Sequence, residues 1–83
     1  MENKISVISI VVEEMEATNT INSILHDFGD YIVGRLGVPY REKGVSIICV
    51  VIDAPCNITS ALSGKLGMIK GVKTKSITAK QNN

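Results

Sequence analysis

Arg35 and Arg41 flank a stretch, Gly34-Arg35-Leu36-Gly37-Val38-Pro39-Tyr40-Arg41, that also holds two glycines and a tyrosine. Guanidinium is a planar fork of donors matched to carboxylate and phosphate, and glycine lets a ligand come close to the backbone. Gly34, Arg35, Gly37, Tyr40 and Arg41 are therefore the candidate small-ligand residues. The competing expectation is that the glycines only bend an edge strand. Gly34-Arg35-Leu36-Gly37 is not a phosphate loop, because it lies in an extended stretch and not at a helix start.

Cys56 follows Asp53-Ala54-Pro55 at the point where a helix should begin. Free N–H groups and the helix dipole favour a thiolate there, so Cys56 is the candidate redox-responsive thiol, set against an inert terminal residue. Cys49 lies inside an apolar run and reads as a small buried side chain. The two cysteines form no CxxC pattern, and a reduced, cytoplasmic protein is expected. His26 has no His or Cys three or four residues away, so no metal site is expected around it. Glu13, Glu14 and Glu16 could offer oxygen ligands to a hard cation. A short acidic run before a helix is more simply a solvated complement to its dipole. The chain shows no Ser/His/Asp set and no carboxylate pair with a base, so a sensing or assembly module is expected in preference to an enzyme. The residues name no cofactor.

The elements that position these groups follow from periodicity. Ile5–Val12 is apolar on both faces and reads as a central strand. Thr18 and Asn19 are helix-capping types, and Ile21, Ile24, Leu25 and Phe28 follow at helical spacing, with Gly29 as the stop. Tyr31–Tyr40 contains Gly34, Gly37 and Pro39, which suits an edge strand and not a central one. Arg41-Glu42-Lys43-Gly44 is a hairpin turn into a second central strand, Val45–Ile52. Asn57, or Asp53 with Pro55, offers cap chemistry to a helix that buries Ile58, Ala61, Leu62 and Leu66 and ends at Gly67. Val72–Thr78 is a last strand with lysines outward, and the tail 79–83 is expected to fray. The order βαββαβ and right-handed crossovers predict an α+β, ferredoxin-like (ACT-like) sandwich. Its antiparallel sheet has strand order 4-1-3-2, with both helices on one face.

Eighty-three residues allow one domain with a thin core. Yet 45% of them are hydrophobic, only three are aromatic, and the apolar mass is largely Ile, Val and Leu. With helices on one face, the other face of the central strands remains apolar. Residue types leave open which face the helices cover; Ile5, Val7, Val11, Ile47, Cys49 and Val51 are assigned to the open one. Soluble monomers rarely expose so large a patch, so a homo-oligomer, dimer or tetramer, is expected to close it. Ser6, Ser9 and Ser46 dilute the patch and argue the other way. The net charge is +1 and the basic residues are scattered; Lys73, Lys75 and Lys80 read as a solvated edge. Direct nucleic-acid binding is not expected. No apolar run has the length of a membrane span or a signal peptide.

Three stretches carry a family resemblance: Leu25-His26-Asp27-Phe28-Gly29-Asp30-Tyr31-Ile32-Val33-Gly34-Arg35-Leu36-Gly37-Val38-Pro39-Tyr40, then Arg41-Glu42-Lys43-Gly44, and Ala61-Leu62-Ser63-Gly64-Lys65-Leu66-Gly67. They run through loops and glycines, and the chain resembles the iron-only hydrogenase system regulator family over nearly its whole length. The resemblance implies an ACT-like domain, similar to the effector-binding half of the nickel-responsive repressor, that oligomerises through its sheets. It also implies a link to transcriptional regulation, or else an assembly role in which the chain docks on a maturation enzyme. Three departures shape the expectation. No helix-turn-helix or ribbon-helix-helix pattern precedes the first strand, so DNA contact would need a protein partner. A single histidine cannot reproduce the repressor's histidine-rich nickel site. The loop after the first strand, Glu13-Glu14-Met15-Glu16, also lacks the Asp-x-Pro-Gly-like turn of amino-acid-binding ACT domains.

Overall fold

The computed structural model describes residues 2–79. Its elements run β1 (Lys4–Val12), α1 (Thr18–Asp27), β2 (Ile32–Tyr40), β3 (Val45–Ala54), α2 (Cys56–Gly67) and β4 (Val72–Thr78). The four strands form one antiparallel sheet in the order β2-β3-β1-β4, which is the predicted 4-1-3-2 read from the other edge. Pro39 and the glycines of β2, and the lysines of β4, do fall on edge strands. There a missing ladder donor or an outward charge costs least.

Strand alternation sorts the central strands into two faces. Ser6, Ile8, Ile10 and Val12 of β1 and Val50, Ile52 and Ala54 of β3 are buried beneath the helices. They pack with Ile21 and Leu25 of α1 and with Leu62 and Leu66 of α2. The buried Ser6 hydroxyl is satisfied by its cross-strand neighbour Thr78, oxygen to oxygen at 2.8 Å. The Lys65 ammonium lies 5.6 Å from the centre of the Phe28 ring and joins the two helices.

The helix ends differ from the sequence expectation. Thr18 and Asn19 do not cap α1, because a 3-10 turn over Met15–Ala17 already winds the chain in and Thr18 N–H donates to Met15 O. Gly29 is not left-handed; α1 closes at Phe28, whose N–H is shared between Ile24 O and Leu25 O, and Gly29–Tyr31 continue as a second 3-10 turn. Asn57 lies inside α2, whose flanking residue is Pro55, and Pro55 O accepts from Ile58 and Thr59 N–H. The left-handed glycines are Gly44, after the 3-10 turn Arg41–Lys43, and Gly71, ahead of β4. Ala79 is tied down, its N–H donating to Ile5 O at 2.9 Å. The rest of the expected frayed tail, Lys80 included, lies outside the described residues.

One feature of the layers was not expected. The helices cover only part of the sheet, and the β2–β3 hairpin extends beyond them. Every residue from Leu36 to Lys43 is exposed, and β3 is fully buried at no position before Val50. The hairpin arm is therefore bare on both faces.

Candidate functional site

The strand register decides where the candidate residues point. Gly34, Leu36, Val38 and Tyr40 stand opposite Val51, Cys49, Ile47 and Val45, on the open face. Arg35 stands opposite Val50 and Gly37 opposite Ile48, on the helix side. The five ligand candidates thus divide: Gly34 and Tyr40 lie on one face, Arg35 and Gly37 on the other, and Arg41 in the turn. They do not converge on one hollow, because successive strand residues alternate sides. Neither Gly34 nor Gly37 has a heavy atom within 4 Å of where a Cβ would sit, so both positions are open space. The Tyr40 hydroxyl reaches only Glu42 Oε2, at 3.4 Å.

Arg35 lines a groove of about 420 Å³ between α1 and β2, with Asn22, Leu25, His26, Gly29 and Ile32. Asn22 and His26 are one helical turn apart, so their side chains share a face of α1. Arg35 Nη2 donates to Asn22 Oδ1 at 2.8 Å, which fixes the guanidinium at the rim. Leu25 and Ile32 give the floor its apolar character. Arg41 lines a separate hollow of about 330 Å³ with Met15, Pro39, Gly44, Val45 and Ser46. His26 and Asn22 joined the arginine here through tertiary packing, and the helical spacing of Asn22, Leu25, His26 and Gly29 was the signal available for it.

The six residues assigned to the open face, Ile5, Val7, Val11, Ile47, Cys49 and Val51, lie on the side away from the helices. Cys49 has Ser9 opposite it on β1 and Leu36 opposite it on β2. Ile5, Val7, Leu36, Val38, Tyr40 and Ile77 are exposed, at 38–72%. On β4, Lys73 and Lys75 share that face at its border, opposite Val11 and Ser9, and Lys73 pairs with Glu13 at 3.5 Å. Cys56 is an exposed free thiol at the first residue of α2, and Cys49 is free and half-buried. Among the described residues no three His, Cys, Asp or Glu side chains come together as metal ligands. No described helix is long and apolar enough to cross a membrane.

Comparison with known proteins gives the family. A protein of solved structure described as uncharacterized, TM1266 from Thermotoga maritima, is 38% identical over 95% of this chain and all of its own, with a TM-score of 0.91. A formyltetrahydrofolate deformylase from Pseudomonas putida matches at 14% identity and a TM-score of 0.63, over 88% of this chain and 28% of its own, and so shares the fold alone. No curated protein matches. A family model described as "TM1266-like: Iron-only hydrogenase system regulator, putative" matches residues 4–76. The chain therefore belongs to the TM1266-like family of the iron-only hydrogenase system.

Proposed function

We propose that this chain is a homo-oligomeric regulatory module of the iron-only hydrogenase system, closed by a second copy on its open sheet face and responsive to a small ligand. The observation that carries the reading is the bare apolar face. The exposed parts of Ile5, Val7, Leu36, Val38, Tyr40 and Ile77, with their half-buried neighbours, amount to roughly 700 Å² per subunit. Two copies would bury about 1,400 Å², within the ~1,200–2,000 Å² of stable protein interfaces. An isolated chain would leave that patch in water, beyond what monomers ordinarily tolerate. The hairpin arm, bare on both faces, adds surface that a neighbouring copy can grip.

Ligand response is supported by the two hollows that flank β2, each holding one of the arginines. Regulation then acts in the cytoplasm through protein partners, and transcription is reached through a DNA-binding partner. The scattered basic residues and net charge of +1 support this route over direct contact with nucleic acid. Light scattering at micromolar to hundred-micromolar concentration tests the reading, with a dimer or tetramer as the expected mass. A monodisperse monomer across that range would overturn it. The face would then be free for a different protein, as in docking on a maturation enzyme.

A further inference from the structure

We propose that the α1–β2 groove binds a small carboxylate with a short aliphatic body, and that its occupancy shifts the association of the sheet faces. This deepens the reading above and rests on it for the second half. Arg35 carries a charge that nothing acidic answers: among the described residues the ion pair is Lys73 with Glu13, and Arg35 has none. Its side-chain bond goes to a neutral amide oxygen, Asn22 Oδ1. That bond uses one of the five guanidinium donors and leaves the charge uncompensated. His26, one turn beyond Asn22, brings an imidazole to the same groove. Below them Leu25 is 2% exposed, and Ile32 packs against the core. At the rim Gly29 leaves open space where any other residue would place a Cβ.

The chemistry of the lining selects its ligand. A carboxylate accepts two parallel bonds from a guanidinium, while a short branched chain packs on the part of Ile32 that the core leaves exposed. None of the lining residues is acidic. An α-amino acid would therefore bring its ammonium beside the Arg35 guanidinium with no acidic side chain to answer it. The deaminated acid fits better than the amino acid itself.

The link to association lies in β2. Arg35 faces the groove, and the next residue, Leu36, faces the open side opposite Cys49. A ligand that ties Arg35 to α1 holds the strand that presents Leu36, Val38 and Tyr40 to a second copy. An effector moves such an equilibrium by the difference in its affinity for the two states.

The test titrates the full chain with 4-methylpentanoate, leucine, acetate and inorganic phosphate, followed by methyl and arginine side-chain NMR and by sedimentation velocity. We expect saturable shifts at the Leu25 and Ile32 methyls and at Arg35 Nε with 4-methylpentanoate. Binding should be about tenfold tighter than acetate, the factor for half-burying roughly four extra carbons, and tighter than leucine. The association constant should change by about fivefold or more. Arg35→Gln should abolish the response, and Lys70→Gln, just ahead of β4 at the opposite edge of the sheet, should keep it. Equal response in Arg35→Gln, leucine binding as well as its deaminated analogue, or phosphate binding without methyl shifts would overturn the site. In that case Arg35 serves only to tie β2 to α1 through Asn22. An oligomer indifferent to 4-methylpentanoate overturns the coupling alone, and a chain that stays monomeric overturns the oligomer reading and the coupling with it.

Discussion

Leu36→Lys separates the two surroundings proposed for the open face. In a lone subunit Leu36 is 64% exposed on an edge strand, so lysine there removes little packing. Exposed substitutions of that kind change stability by about 0.5 kcal/mol or less. Across an interface the same side chain loses its water. Its exposed part is roughly 100 Å², worth about 2.5 kcal/mol per subunit at ~25 cal/mol/Å², and a two-fold contact counts it twice. About 5 kcal/mol corresponds to more than a thousandfold in dissociation constant, before the cost of confining an ammonium against Cys49 and Ser9. Leu36→Lys should therefore be a folded monomer at concentrations where the parent chain is associated. Light scattering reads the mass. The melting temperature supplies the second check, since it should rise with protein concentration for the parent and not for the variant. Identical mass for parent and variant at concentrations where the parent is associated would refute the argument that Leu36 lies in the contact.

Two further expectations concern the subunit itself. Gly71 sits at φ 78°, and a Cβ there would lie 2.6 Å from Glu14 Cγ, so Gly71→Ala should cost about 1–3 kcal/mol in urea denaturation. Gly64, inside α2 with open space around it, should gain about 0.5–1 kcal/mol as alanine; equal effects at the two sites would contradict the backbone argument. Thr59 is 4% exposed, and its hydroxyl has no hydrogen-bond partner among the described residues. Thr59→Val should be neutral or stabilising by up to about 1 kcal/mol, and a loss of more than that in the same assay would mean the hydroxyl is bonded.

Strand order and the edge assignments were legible because they rest on residues whose physics is position-independent. Pro39 cannot donate to a ladder wherever it sits, and Ile5–Val12 is apolar on both sides in any register. Helix ends were less legible, because Thr18, Asn19 and Asn57 have cap chemistry that the fold does not use. A 3-10 turn and Pro55 O satisfy those termini first. The bare hairpin arm could not be read at all. Whether Gly37 and Pro39, on the helix side of β2, are covered depends on how far α1 and α2 reach over the sheet, which no local pattern encodes.

The ligand candidates divide between the two faces for a subtler reason, and that reason bears on mechanism. Ile32 pairs with Ile52 and packs toward the core. Plain alternation from Ile32 sends Gly34 to the helix side and Arg35 to the open face. The register shift between Ile32 and Gly34 adds one residue, leaving Val33 68% exposed, and reverses that assignment. A single bulged residue thus decides that the guanidinium meets Asn22 and does not stand on the open face. It decides equally that Leu36, Val38 and Tyr40 join the apolar face and do not turn back over the helices. Groove and open face are therefore set by one backbone irregularity, so a force on Arg35 is applied to the strand whose register orders the open face.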